Sequence, residues 1–343
     1  MKNRHKLWGA LILLAGLHGL VLFAGFFAPY GSAAQDRELP FAPPTRIHFV
    51  DAHGKFHARP FVYGLKDDPR IPGAFAADST RVYPLHFFVQ GSSYKIGGMF
   101  PSRLHFVGVS APGRIFLLGS DGYGRDQFTR FLYGGQISLA AGLIAAALSV
   151  PLGVIIGALA GFYGGWIDDV LMRGGELFLA LPWLYLLFAV RAELPLHVAQ
   201  WQVFLLLIAV IGLVGWARPA RLIRGVVLSA KERNFVVAAR SFGASDAYLL
   251  RRHVLPQTYG VILTQAALLV PQYVLAEVTL TFLGLGVGEP MPSWGSLLAS
   301  LQQYYVLSSY WWMFLPAALL IPVFLAYYMA ADALQERLKT VPL

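Results

Sequence analysis

Few side chains in this chain are placed to do chemistry, and each has a plain structural alternative. Glu277 comes first, because it sits inside a long apolar run, where an ionised carboxylate is expensive and usually serves a pathway. It could meet an amino group on a passing substrate; the competing reading is a bond to a neighbouring helix. Arg173 and Glu176 stand three residues apart near the end of another apolar run, a spacing that suits a local ion pair on a helix. His48, His53, His57, His86 and His105 crowd one polar stretch. Alternation on strands could gather some of them as a metal site, but no carboxylate or cysteine framework accompanies them. Solvated strand histidines are the simpler reading. The chain has no cysteine, which excludes disulfides, thiolate metal sites and cysteine nucleophiles. No serine, histidine and aspartate set stands among the apolar runs, and no Gly-x-x-x-x-Gly-Lys-Ser/Thr phosphate loop occurs. Neither catalysis, cofactor nor metal is expected of this chain itself.

A different constellation carries more information. Val237-Ala238-Ala239-Arg240, Phe242-Gly243-Ala244, His253 and Leu255-Pro256 fall within one basic, helix-forming island between two apolar runs. Residues 234–252 read as two short helices, with Phe235, Val236, Ala239, Phe242 and Ala247 as an apolar stripe. Gly243 falls where the first helix must end, a position that favours a left-handed residue. Ser245 suits the cap of the second helix, and Pro256 opens the next apolar segment. A compact helical pair with an unburied apolar side wants a groove to fill. The plain alternative is a basic amphipathic element lying on a membrane surface.

The elements that must position this island follow from composition. Of 343 residues, 57% are hydrophobic and 13% charged, and the apolar residues fall in blocks. About 20 consecutive apolar residues cross a bilayer as a helix, the form that satisfies backbone polar groups in lipid. Six blocks lie near residues 7–27, 137–162, 177–190, 201–216, 261–285 and 311–329. The third is short and holds Pro182. Continuous rather than alternating runs exclude a β-barrel. The first block exceeds a typical signal-peptide core and lacks a good cleavage site, so a retained anchor is expected.

The formal net charge is +9. In a soluble chain that would suggest nucleic acid, but here topology accounts for it. Basic residues concentrate at Lys2, Arg4 and Lys6, at Arg218, Arg221, Arg224, Lys231, Arg233, Arg240, Arg251 and Arg252 between the fourth and fifth blocks, and at Arg337 and Lys339. Residues 286–310 hold no lysine or arginine. The positive-inside rule then places both termini and the island in the cytoplasm.

Residues 30–118 are polar and turn-rich, with strand-like runs at 46–50, 56–63, 82–89 and 104–109. Residues 52–55 and 111–114 read as turns between them. The expected organisation is residues 1–29 as a cytoplasmic start and first span, 30–118 as an extracytoplasmic β-rich insertion, and 119–343 as a helical core with its cytoplasmic loop at 231–256. Gly153, Gly157 and Gly161 share one helix face, which lets membrane helices approach closely. Pro151, Pro271, Pro316 and Pro322 would kink their helices. Tyr304, Tyr305, Tyr310, Trp311 and Trp312 look like an interfacial belt.

The spacing Ala238-Ala239, three residues, Gly243, nine residues, His253, then Leu255-Pro256 resembles the EAA loop of binding-protein-dependent ABC importer permeases. Further stretches resemble one branch, the C-type permease subunits of oligopeptide and dipeptide importers. They are Leu118-Gly119-Ser120-Asp121, Gly124-Arg125-Asp126, Thr129-Arg130 and Tyr133-Gly134 before the second span, and Gly161-Phe162-Tyr163-Gly164-Gly165-Trp166-Ile167-Asp168 with Leu171-Met172-Arg173 after it. Glu277, Thr281-Phe282-Leu283-Gly284-Leu285-Gly286-Val287 and Pro292-Ser293-Trp294-Gly295 continue the likeness, which covers about two-thirds of the chain in order. The chain departs from the pattern at Val237, where the family has an acidic residue, and residues 30–118 are longer than is usual for the branch.

The resemblance implies an all-α membrane protein of the ABC importer type I permease fold, with six transmembrane helices and the β-rich insertion between the first and second. It implies a bacterial inner-membrane subunit that imports peptide-like substrates and is not an enzyme. ATP and magnesium would be bound by two cytoplasmic ATPase subunits. A second permease subunit would complete a heterodimer, and an extracytoplasmic binding protein would deliver the cargo. The alternative is an ion-gradient-driven secondary transporter, which predicts inverted repeats and midplane charges. Neither repeat nor charge cluster beyond Glu277 is visible.

Overall fold

Long apolar runs fold as helices here, and the polar stretch between the first two folds as a sheet. The computed structural model describes residues 2–71, 73–180, 182–193 and 199–339. Helices α1 (Lys2–Leu22) and α2 (Ala24–Phe27) precede strands β1 (His48–Val50), β2 (Phe56–Asp67), β3 (Phe75–Ile96) and β4 (Phe100–Val109). Helix α3 (Gln127–Tyr163) leads to α4 (Gly165–Ala180), α5 (Trp183–Ala192), α6 (Gln200–Val214) and α7 (Ala217–Lys231). The short helices α8 (Asn234–Ser241) and α9 (Asp246–Leu249) follow, then α10 (Tyr259–Phe282), α11 (Trp294–Ala299), α12 (Tyr304–Ser309) and α13 (Leu315–Lys339). Among the described residues, five helical segments are long and apolar enough to cross a membrane. The third expected block falls on α4 and α5, whose axes differ by 82° and which bring the number to six if the bent pair is one span; its position 181 lies outside the described residues. Pro182 supplies the break, because proline cannot donate the helical hydrogen bond. Pro151, Pro271 and Pro322 lie inside continuous helices.

The chain divides into two units, one of Met1–Leu14, Leu139–Leu280 and Val323–Leu343, the other of Ala15–Ser138 and Thr281–Pro322. In the first, α3 is lined with small residues. A Cβ at Gly153 would lie 2.8 Å from the Pro219 ring, one at Gly157 would strike the Ala220 carbonyl, and one at Gly161 would lie 2.8 Å from the Arg224 carbonyl. These glycines let the α7 backbone lie almost against α3, the packing that their spacing predicts. Gly142 accepts α10 at Val270 and Val274 in the same way. A Ser149–Tyr273 hydroxyl bond of 2.8 Å joins α3 to α10.

Helix α7 departs from expectation. Arg218, Arg221 and Arg224 were expected in a loop but lie on this helix, while Ala217, Ala220, Ile223, Val227 and Ala230 are buried. Arginines every third residue form one face, and the small and branched residues between them form the other. Arg224 forks onto both oxygens of buried Asp168 on α4. Glu176 lies 3.9 Å from Arg221 rather than pairing with Arg173.

In the second unit the strands form one antiparallel sheet in the order β1-β2-β3-β4. The first half of β3 pairs with β2 and the second half with β4. Val62, Leu85, Val107 and Ile115 form its core. The strands run longer than expected because stretches such as Ser79–Arg81 and Gln90–Ser93 are polar on exposed surface, which erases the alternation that marks a half-buried strand. The 52–55 turn joins β1 to β2, but the 111–114 turn follows the last strand instead of linking two.

The motifs around the start of α3 pack on the segment before α11. Arg125 bonds Asp121 at 2.7 Å and Glu289 at 2.9 Å, and Arg130 reaches Glu289 at 2.8 Å. Trp294 stacks on Phe131 and donates its ring N–H to the Phe131 carbonyl at 2.9 Å. Asp126 caps α3, its Oδ2 accepting from the Thr129 amide at 2.8 Å and hydroxyl at 2.6 Å. Burial pushes its carboxyl up to about 7, against the Thr129 bonds that lower it. The fold thus holds a proton that the unfolded chain, with an ordinary value of 3.8, releases. That contribution to stability is complete below about pH 4 and is lost as the pH rises through about 7. Asp126→Asn, which imitates the protonated form, is expected to flatten the fall in unfolding temperature between pH 5 and 8, read by thermal scans in detergent.

Candidate functional site

The island folds as a helical knob rooted on α3 and α7. Val236, Leu249 and Val254 enter an apolar cluster with Ala158 and Phe162 of α3 and Ile223, Val227 and Ala230 of α7. Ala239, Ala244 and Leu255 pack against its edge. Its six larger side chains, Phe162, Ile223, Val227, Val236, Leu249 and Val254, each contribute roughly 1.5–3 kcal/mol when fully removed from water, so the root is a small hydrophobic core of its own.

The turn at the tip is set by hydrogen bonding. The Ala244 amide donates to the Ala239 carbonyl at 3.1 Å, and the Gly243 amide to the Arg240 carbonyl at 2.9 Å. That pair of bonds is a Schellman motif, which requires a left-handed residue. Gly243 supplies it at φ +84°, and a Cβ there would meet no atom within 4 Å. The constraint is therefore backbone conformation and not space. Ser245 accepts the Tyr248 amide at 3.4 Å and opens α9. The segment Leu250–Val254 then winds as a wider π turn, and Leu255–Thr258, with Pro256 in its first turn, tightens before α10.

The expected stripe does not face one way. Val236 and Ala239 point into the root, whereas Phe235, Phe242 and Ala247 are exposed. A helix of eight residues cannot bury both sides against one support, and the root takes the narrower one. Phe242 is 93% exposed. Val237, Ala238 and Tyr248 on the same pair of short helices are exposed as well. Arg240 lies 3.8 Å from Asp246 and above the Phe162 ring at 5.7 Å. His253 sits at the flank, its ring 5.5 Å from that of Tyr248 and 5.9 Å from that of Phe235. Arg233, Arg251 and Arg252 form no ion pair among the described residues, so the knob presents an aromatic tip within a cationic surround.

Glu277 lies apart from the knob on α10, buried at 2% exposure. Nearby on the same helix, Gln272 and Tyr273 line a cavity of about 360 Å³ with Arg218 of α7 and apolar side chains of α4, α5 and α6. Sequence reading missed this cavity, because its walls come from five helices. The outer histidines do not gather. His105 is buried against the Ala28 and Ser92 carbonyls, His57 pairs with Asp51 at 2.8 Å, and His48 stacks on Phe61. Among the described residues no three metal-ligating side chains converge. Of the expected aromatic belt, Tyr304, Tyr305 and Trp311 are exposed, while Tyr310 stacks on Phe41 at 4.2 Å.

A family model described as a binding-protein-dependent transport system inner membrane component matches residues 153–340. The chain is 38% identical over 221 residues to the dipeptide transport system permease protein DppC of Bacillus subtilis (strain 168), covering 64% of this chain and 67% of that one. It is 34% identical over 230 residues to the oligopeptide transport system permease protein OppC of the same organism, covering 66% and 72%. Within the matched region the knob's shape rests on Gly243. Gly243→Val is expected to loosen the knob by about 1–2 kcal/mol, the penalty for a side chain in the left-handed region. Hydrogen exchange should rise across residues 234–254 and stay unchanged in α3, whereas Phe242→Ala should leave both unchanged.

Proposed function

We propose, for a chain that belongs to the family of binding-protein-dependent transport system inner membrane components, that residues 231–256 are the lever through which partner ATPases drive the membrane helices. The chain is a permease subunit of an ABC importer in the inner membrane. Its relatives are permease subunits and not enzymes, and this membership displaces the ion-gradient alternative. The family works with ATPases and a binding protein. The finer reading assigns ATP and magnesium to two ATPase subunits, completes the membrane part with a second, different permease subunit, and takes peptides as cargo. The names of the relatives support that cargo. Both termini and the knob are assigned to the cytoplasm, and residues 30–118 to the opposite side as an insertion ahead of the transport domain at 119–343.

One observation carries the lever: Phe242 projects into solvent from a tip whose base is a buried core. A phenylalanine ring held in water by a fixed turn gains roughly 1.5–3 kcal/mol on entering an apolar groove. Short helices that present aromatic anchors to a groove are a common recognition mode. Val237, Ala238 and Arg240 flank the ring and supply the rest of the docking face. Ala239, Gly243, Ala244, His253, Leu255 and Pro256 hold it in place. Val237 replaces an acidic residue, so docking here relies on apolar contact at that point. Closure of the ATPases would displace the knob, and its shared core with α3 and α7 would carry the displacement into the spans. A few kcal/mol of differential binding is enough to exchange inward- and outward-open states. Glu277 is assigned to the pathway, where a buried carboxylate would meet a peptide amino group.

Phe242→Glu tests the lever without disturbing its root. Co-purified ATPase and peptide uptake in reconstituted vesicles are expected to fall at least about tenfold, the equivalent of 1.4 kcal/mol. The unfolding temperature should stay constant. Intact ATPase retention in a folded Phe242→Glu variant would overturn the assignment.

A further inference from the structure

The insertion carries an aromatic face whose position relative to the bilayer is fixed by the first span. Within helix α1 the apolar window His5–Leu22 has 18 residues, which at about 1.5 Å per residue falls just short of the hydrocarbon thickness of a membrane. Phe26 follows its last residue by four positions, which adds about 6 Å along the chain axis. The polar layer on each side of the hydrocarbon is of similar depth, since the two layers add roughly 10–15 Å to a core of about 30 Å. Phe26 and Phe27 therefore stand where acyl chains meet headgroups as the chain leaves the span.

The sheet is clamped to that point. The two ring nitrogens of His105 on β4 lie 2.7 Å from the Ala28 carbonyl and 2.9 Å from the Ser92 carbonyl. The Tyr94 ring of β3 covers Gly25 so closely that no Cβ fits there. The Tyr94 hydroxyl donates to the Leu104 carbonyl at 2.6 Å. The Phe106 ring then sits 5.9 Å from Phe26 and 6.1 Å from Phe27, and Phe88 sits 6.2 Å from Phe26. Phe87 and Phe88 both lean on Phe106, at 5.7 and 5.8 Å. Yet Phe87 is 51% exposed, Phe88 61% and Phe106 37%. Phe88 reaches outward through a positive φ of 56°, a conformation that few residues of its size adopt.

We propose that Phe87, Phe88 and Phe106 form a lipid-contact face, seating the β insertion in the bilayer surface beside the end of the first span. Continuity decides for lipid over a protein partner. Phe88 and Phe106 touch Phe26 and Phe27, which already stand at the membrane boundary. Apolar rings on such an edge gain by entering the boundary between headgroups and acyl chains, as interfacial helices do. The insertion is then a plate resting on the membrane, held from one side by α2 and from the other by lipid.

The absence of cysteine makes the test direct. Single variants Phe88→Cys and Phe106→Cys, with His53→Cys in the turn beside the far edge strand as the aqueous control, are spin-labelled in the full chain in phospholipid nanodiscs. Collision with oxygen and with a water-soluble nickel chelate is then read for each label. Lipid seating predicts that labels at 88 and 106 keep oxygen accessibility and lose nickel accessibility, while the label at 53 keeps both. Nickel accessibility at 88 and 106 equal to that at 53 would mean the face is in water and would overturn the proposal. Loss of both collisions would mean that protein covers the face and would overturn it equally. The three side chains are exposed, so cysteine there does not threaten folding; a Phe87→Cys label gives an independent repeat.

Discussion

How closely α7 can approach α3 decides most of what the first unit does. Gly153, Gly157 and Gly161 remove the side chains that would hold the helices apart. Close approach brings Ala158 and Phe162 of α3 within reach of Ile223, Val227 and Ala230 of α7, and that strip becomes the floor on which Val236, Leu249 and Val254 settle. Without it the knob would have no apolar support and would be a flexible basic linker. Dispersion between backbones, small at each atom and large over three turns, thus underlies the ordered base of the knob.

The two ends of the knob divide the labour. Its root is a hydrophobic core, insensitive to salt and pH. Its tip is an aromatic ring in a cationic surround, and the charges act at longer range than the ring. At Val237 no carboxylate stands, and the carboxylate that meets Arg240 is that of Asp246, at 3.8 Å.

Much of this was legible in the sequence because it rests on local rules. Gly243 and Ser245 mark the turn, since each acts through the hydrogen bonds of its own few neighbours. The glycine ridge on α3 was legible because its spacing matches the helix repeat. What escaped notice depends on residues far apart in the chain. Arg224 and Asp168 are 56 positions apart, and no periodicity links them. The outward turn of Phe242 follows from which side of α8 finds support, a fact about α3 and α7. Polar strand stretches in β3 gave no alternation to read. The stretches that resemble the permease branch were visible as patterns, but their work was not: Trp294 stacks on Phe131 across a separation that only the fold reveals.

The Arg224–Asp168 fork has a mechanical corollary. Two parallel N–H donors meet two carboxylate oxygens, a planar match that tolerates tilting in its own plane but not rotation about the helix axis. A turn of α7 by one residue, about 100°, would carry the guanidinium off Asp168 entirely. The fork thus fixes the rotational register of α7 against α4, 56 positions away in the chain.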